Sequence, residues 1–582
     1  MASSGNFTTI NPLQKISTGT FSNGNLTYAL SGTDGFIVTQ PMTTKTYCEV
    51  RIDAQSNYGG SVGLRSGDGQ GAFSDSVTFQ TNYSSGAMYY LKGTSEQTSP
   101  GNIGGVVATG AVVMMAYDPA TFKWWVGVNG TWRNSGDPAN GTGFIYQGSA
   151  TQFDVGTDVF WGGGKGSANG MTVTWNFGQD DTFGGQETAA GNADGNGFGV
   201  FKYSPPTGFF ANTTANIVIS DDIDPAQTDD DIPTKQFGVV TYTGNGGASL
   251  SVTGLGFKPD LCWLKQSSTG EAYSNNLIDS TRGRSKTLYS SRADAEATSA
   301  SDKDFGTFDS DGFTVLDDYN TNMNQSSITN VAWCWRANGG VTSSNSDGDI
   351  TSTVQANTKA GFSIVTYTGN GSVAQSIGHG LSSGAPELIF VKNRDAGDDW
   401  AVYHHSLGNS GHLLLNSTAP ATTGSAYWGS FTPTTSLFKV GSDHKLNANS
   451  EKYVAYLWHG VEGYSKFGKY FANSSTTSPS AGYSGPTIYT GFRPRLIFIK
   501  MGAVESDSWY VWDSSRNTYN VMTDALRWDK ANTTITGSAY HIDFLSNGFK
   551  IRTSEASINS TVYDPYYWGA WGDVPFKYNN TF

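Results

Sequence analysis

A chain of 582 residues is too long for one hydrophobic core, so several domains are expected. Glycine is abundant (73 residues), aromatics make up 13% and charged residues only 14%, the profile of short strands joined by tight turns. Disorder would need few aromatics and high charge. The net charge is −14 and no Lys/Arg run stands out, which argues against a nucleic-acid partner.

The opening Met1-Ala2-Ser3-Ser4-Gly5-Asn6 has no charged or apolar region of a secretory signal, and no stretch reads as a membrane span. A soluble protein made in the cytosol, with no signal peptide and no membrane insertion, is therefore expected. Three cysteines (Cys48, Cys262, Cys334) are too few for a disulfide framework and read as small core residues.

Residues 1–205 read as one all-β unit. Thr46–Ile52 alternates as a half-buried strand. The runs Met114–Tyr117 and Lys123–Val128 flank Asp118-Pro119-Ala120-Thr121, a turn signal that predicts a hairpin, and Asn129-Gly130 predicts a second tight turn. A late strand is predicted at Met171–Gln179. The wording Lys123-Trp124-Trp125-Val126-Gly127-Val128-Asn129-Gly130-Thr131-Trp132, closed by Val173-Thr174-Trp175-Asn176-Phe177-Gly178, resembles a SPRY domain. It is similar in particular to SPRY-like modules of bacteriophage structural proteins. The resemblance covers roughly the first third of the chain. It implies a concanavalin-like antiparallel β-sandwich that binds through loops at one end, with no catalytic residues.

Residues 206–235 read as an acidic linker, with Asp221, Asp222, Asp224 and Asp229–Asp231. An EF-hand spacing is absent, so a solvated run is preferred to a calcium site.

From residue 236 one pattern occurs three times. Pro259-Asp260-Leu261-Cys262-Trp263-Leu264-Lys265 returns as Pro386–Lys392 and Pro494–Lys500. Tyr242, Tyr367 and Tyr470 precede these segments; Phe313, Phe438 and Phe549, then Trp335, Trp458 and Trp571, follow in step. Such self-similarity marks a repeated unit. Repeats are placed at 236–345, 360–462 and 464–582, each long enough to be a β-sandwich of its own. The apolar segment reads as a strand buried on both faces, its Lys laying its stem on the core with the charge in water. The arrangement resembles an uncharacterised repeat domain common in tail and other virion proteins of marine phages, which implies a context but no chemistry.

No catalytic or metal site and no cofactor is predicted. His404 and His405 are adjacent on a strand and would point to opposite faces, and His412 adds no zinc spacing. Asp398, Asp399, Glu505 and Asp507 are the nearest to a glycosidase carboxylate pair, but they sit in loops that differ between repeats. Aromatics beside polar residues suit recognition surfaces instead, and Trp132, Trp400, Tyr403, Trp509, Tyr510 and Trp512 are the candidate ligand-binding residues.

The expectation is an all-β, non-enzymatic string of antiparallel β-sandwich (jelly-roll or concanavalin-like) modules. It would be a bacteriophage virion protein, a tail fibre, adhesin or surface appendage, binding host surface glycans or other virion proteins multivalently. A homotrimer is compatible with fibre symmetry. The alternatives are a capsid decoration protein and a tail-borne polysaccharide depolymerase.

Overall fold

The computed structural model describes residues 6–572 apart from 16–18, 31–33, 57–59, 67–75, 82–87, 93–94, 99–101, 149–157, 166–169, 217–231, 269–272, 301–302, 318–322, 474–484, 504–506 and 561–563. The acidic run of the predicted linker and Glu505 therefore lie outside the described residues. The chain is almost entirely antiparallel β-structure, as expected, with helices of no more than four residues among those described.

The first unit is a sandwich of a seven-stranded and a nine-stranded sheet. Val112–Asp118 and Lys123–Val128 form the predicted hairpin, with Asp118 accepting from the Ala120 amide (3.0 Å) and the Thr121 hydroxyl (2.9 Å) to fix the turn. Asn129 and Gly130 both take positive φ (47° and 83°), so Val128 pairs with Thr131 across a two-residue loop. Val50, Ile52, Trp124 and Trp175 from one sheet meet Val62, Leu64, Phe79 and Trp161 from the other.

This unit extends past the predicted boundary at 205. Phe210-Ala211 pairs in parallel with Thr46-Tyr47, and Phe201, Phe209 and Ala211 cover the outer face of the larger sheet beside Tyr47 and Trp125. A buried carboxylate pins this cover. Glu49 accepts from the Lys202 and Tyr203 amides (2.9 and 2.7 Å), Tyr47 OH (2.9 Å) and Asn176 Nδ2 (3.1 Å). Burial still pushes its pKa up.

Each repeat is a sandwich of unequal sheets. The large sheet of repeat 1 runs Phe237–Thr243, Thr329–Trp335, Leu261–Gln266, Asn276–Asp279, Lys286–Tyr289, Ala297-Thr298, and repeat 3 has the same order. Repeat 2 has two more strands, Ser343–Asn345 and Ser352–Asn357, added at the edge of Phe362–Thr368. A small sheet of two or three strands closes one side of each.

The anchors read from the sequence occupy matching places. Phe313, Phe438 and Phe549 pair with Val252, Ile377 and Ile488 of the small sheets. Tyr242, Tyr367 and Tyr470 each donate from OH to a backbone carbonyl, of Met323, Leu446 and Ile558 (2.8, 2.8 and 2.6 Å).

The central strands of the large sheets are covered on both faces. In repeat 1, Cys262, Leu264 and Cys334 point to the small sheet, where the two sulfurs lie 3.8 Å apart. Leu261, Trp263, Trp333 and Trp335 point the other way, into one core shared with Phe390 and Trp458 of repeat 2 and Phe498, Trp528 and Trp571 of repeat 3. Trp335, Trp458 and Trp571 meet pairwise at 5.4–5.8 Å between ring centroids. The three sandwiches thus stand around a common pseudo-threefold axis rather than as separate beads.

Candidate interaction surface

The repeats are joined by seams that follow the threefold relation. Lys265, Asn275 and Tyr289 correspond by register to Lys392, Trp400 and Leu414, and to Lys500, Trp509 and Arg527. At one end, Trp400 Nε1 donates to Tyr289 O (2.9 Å), Trp509 Nε1 to Leu414 O (3.0 Å), and Asn275 Nδ2 to Arg527 O and Trp528 O (3.2 and 2.7 Å). Each bond runs from one repeat to another, in cyclic order. Asn275 is smaller than the tryptophans it replaces, and Trp528 enters from repeat 3 to stack on Trp263 at 4.2 Å.

The lysines that close the repeated strands are also buried here, which corrects the expectation that their charges reach water. Lys265, Lys392 and Lys500 are at most 1% exposed. Lys265 Nζ donates to Asn275 Oδ1 (2.6 Å) and to Lys530 O of repeat 3 (2.9 Å), and Lys500 Nζ to Asp507 O (2.5 Å) and to Thr418 O of repeat 2 (3.1 Å). Lys392 Nζ uses Asn393 O and Ala396 O (2.8 and 3.1 Å). Burial lowers their pKa values to about 7, 8 and 8.

At the other end, Asp279 accepts from Tyr456 OH of repeat 2 (2.7 Å) and from Arg282 Nε (2.5 Å). Asp513 accepts from Trp333 Nε1 of repeat 1 (3.2 Å) and Arg516 Nε (2.7 Å). His404, the third equivalent, reaches Trp568 O of repeat 3 (3.1 Å), and His405 reaches Phe467 O (3.1 Å). Arg282 also pairs with Glu296, which Arg394 of repeat 2 holds from the other side (3.0 and 2.8 Å). Asp279-Ser280-Thr281-Arg282 and Asp513-Ser514-Ser515-Arg516 are alike in sequence, 14 and 13 residues beyond Lys265 and Lys500, inside segments read as variable loops. Their role as a seam was not legible there, because the partner lies in another repeat.

This geometry removes five of the six candidate aromatics from any binding face. Trp400, Tyr403, Trp509, Tyr510 and Trp512 are at most 5% exposed. Tyr403 packs edge-on against Trp428, Tyr510 stacks on Tyr540, and Trp512 Nε1 donates to Tyr540 O (3.0 Å). Only Trp132 is half-buried, edge-on to Tyr47 at the rim of the first sandwich. The carboxylates are tied as well: Asp398 to His444 Nδ1 (2.7 Å) and Asn393 Nδ2 (2.8 Å), and Asp399 to Asn416 Nδ2 (2.8 Å). His412 stacks on Tyr427 at 3.5 Å and meets the Thr422 hydroxyl (2.8 Å). Among the described residues no group of three or more His, Cys, Asp or Glu is placed to hold a metal ion.

Among the described residues the most exposed large hydrophobic is Tyr519, with 83% of its surface in solvent. Its loop is built. Asn520 exchanges two hydrogen bonds with the Phe544 backbone (both 2.8 Å), and Asn517 Oδ1 accepts from the Thr523 and Asp524 amides (3.2 and 2.9 Å). Asn517-Thr518-Tyr519-Asn520 therefore presents one flat ring beside short polar side chains, on a loop fixed to repeat 3. Sequence reasoning passed over it because Tyr519 has no aromatic neighbour in the chain.

A family model described as "Domain of unknown function (DUF7483)" matches residues 232–575, so the chain belongs to this family. The matched range takes in all three repeats, the same span that the shared core unites. Among solved structures, the SPRY domain of human HERC1 is similar, with 14% identity over 28% of this chain and 96% of that chain, and a TM-score of 0.20. No curated protein matches the chain.

Proposed function

We propose that the protein is a bacteriophage virion component, a tail fibre, adhesin or surface appendage that binds host surface glycans or neighbouring virion proteins without catalysing a reaction. The observation that carries the reading is the union of three repeats around one core. Loops that differ in sequence are held at fixed separations, so weak contacts by several of them add as avidity. The threefold arrangement that fibre proteins obtain by trimerisation is here internal to one chain, and the reading does not require a homotrimer. Tyr519 is the residue offered for a sugar face.

The test is binding of the purified chain to whole bacterial cells and to their extracted surface polysaccharide, beside Tyr519→Ala. The expectation is saturable binding that falls at least fivefold in the variant, together with antibody labelling of virions at the tail. Labelling confined to capsid capsomers, with no cell binding, would favour decoration and overturn the adhesin reading. Shortening of the polysaccharide would overturn its non-enzymatic part.

A further inference from the structure

Repeats 1 and 2 contain the same strand end, Thr-Tyr-Thr-Gly-Asn-Gly, at 241–246 and 366–371. In repeat 2 the outer edge of this strand is taken by Ser352–Asn357 of the same chain, with Thr353 opposite Thr366 and Val354 opposite Val365. The incoming segment also bridges to the small sheet. Ile350 N donates to Ser376 O (3.1 Å) and Ser352 Oγ to Gly378 O (2.7 Å). Ile350 and Val354 plug the gap between the two sheets at 6% and 5% exposure. Under them Val365 and Tyr367 are buried (0% and 4%).

Among the described residues, repeat 1 has the same groove without the plug. Phe237–Thr243 and Ser249–Thr253 are edge strands of its large and small sheets. Gly244 N and Gln236 O bond inward to the Thr329–Trp335 strand and its flanks, so the odd-numbered residues between them turn their backbone groups outward. Val239 O is met by Arg495 Nη2 and Ser515 Oγ of repeat 3 (3.3 and 3.0 Å). Beyond it Thr241, Thr243, Ser249, Ser251 and Thr253 are exposed, and Val240, Tyr242 and Leu250, facing the small core, are only partly covered. In repeat 3 the corresponding edge is engaged by His405 at Phe467 O and by the first sandwich through Lys466 and Asp158.

We propose that this groove of repeat 1 is a strand-addition site for an extended segment of a partner protein. The segment runs antiparallel to Thr241–Thr243, with two apolar β-branched or aliphatic residues four apart and small uncharged residues between them. The argument for the occupant is the strand that repeat 2 supplies to itself, Ile350-Thr351-Ser352-Thr353-Val354. Backbone pairing gives the affinity and the two apolar side chains give the register. The small residues fit because the edges of both sheets are themselves Thr and Ser. This docking surface is separate from the Tyr519 loop.

The probe is a synthetic peptide with the sequence of residues 349–357, added to the full chain, and the readout is amide hydrogen exchange over 237–253. The expected result is exchange at Thr241 and Thr243 slowed at least tenfold at millimolar peptide. A peptide with Asp at the Ile350 position should give no slowing, and neither should the Thr241→Pro chain. Proline at an outward position of an edge strand removes the outward donor without breaking an internal ladder bond, so this variant should melt like the parent. If it does not, the Asp-bearing peptide on the parent chain still decides. No slowing with the parent peptide, or equal slowing with the Asp peptide, overturns the proposal. So does protection of Thr241 in the free chain equal to that of Thr366, which would mean the chain or a second copy already covers the edge.

Discussion

The first sandwich and the repeats use the same strand types but close their cores differently. In the sandwich of residues 6–216 both sheets turn their apolar faces to each other, and the outer face of the larger sheet is covered by its own chain, through Phe201 and Phe209. In each repeat the small sheet covers only one face of the large sheet, and the other face is completed by the other two repeats. Burial of apolar area is the main favourable term in folding. The difference therefore decides which part of the chain can stand alone.

The largest expected effect comes from cutting the chain. Residues 1–216 alone should unfold cooperatively in calorimetry. Residues 360–462 alone should not, because Phe362, Phe390, Trp400, Tyr456 and Trp458 would face water. Residues 232–575 together should recover one transition. A folded, monomeric single repeat would break the comparison.

A smaller effect comes from one side chain in each core. Trp335→Ala opens the meeting point of three tryptophans and should cost about 3–5 kcal/mol, as expected for a buried aromatic. The loss should appear in the 232–575 transition and spare that of the first sandwich. Trp161→Ala, in the core of the first sandwich, should do the reverse. If both variants shift both transitions equally, the two parts are one cooperative unit.

Much of this organisation was legible, and what was missed had a physical reason. The hairpin at 112–128, the Asn129-Gly130 turn and the three sets of anchors follow from local chemistry and spacing. The run Leu261-Cys262-Trp263-Leu264 was read as buried on both faces, and it is. A sandwich strand, however, has an inner face and a solvent face and so alternates. Four consecutive core residues already required a second layer, and that layer is the neighbouring repeats. The candidate aromatics failed for a related cause. Trp400 and Trp509 lie in segments that vary between repeats, which suggested surface loops, yet both are the same seam donor, and Asn275 takes their place in the third seam. Exposure depends on partners far away in sequence, and so does the burial of Lys265, Lys392 and Lys500.

Those lysines make the seam sensitive to alkaline pH. In an unfolded chain lysine keeps its proton to about pH 10. In the fold the three pKa values fall to about 7, 8 and 8 because the ammonium groups are buried. Between these limits the unfolded chain binds more protons, so stability should rise with pH, by about 1 kcal/mol per pH unit for each lysine. Below pH 7 the full penalty is present. Lys392→Met removes the titrating group and leaves the carbonyls of Asn393 and Ala396 without their donor, a loss of about 1–3 kcal/mol. Urea unfolding of residues 232–575 at pH 7 and 9.5 should show a shallower rise in the variant. An unchanged rise would mean that Lys392 does not titrate in this window.

The smallest effect belongs to the boundary between the two parts. The first sandwich meets repeat 3 through the Lys466–Asp158 ion pair, the edge-on contact of Phe160 with Tyr489 (6.1 Å) and a hydrogen bond from Asn547 Nδ2 to Thr39 O (3.3 Å). The ion pair is partly exposed, where solvent leaves such pairs worth about 0–1 kcal/mol. Among the described residues, Tyr489 alone of repeat 3 joins the core of the first sandwich, resting half-buried on it. Lys466→Ala with Tyr489→Ala should therefore leave both calorimetric transitions within about 1 kcal/mol of their parent values. What should change is the geometry. Small-angle scattering of the double variant should give a larger radius of gyration than the parent, because two of the contacts that hold the sandwich against repeat 3 are gone. An unchanged radius would place the restraint in the remaining contacts and make the first sandwich an integral fourth part of the threefold body rather than a module docked on its side.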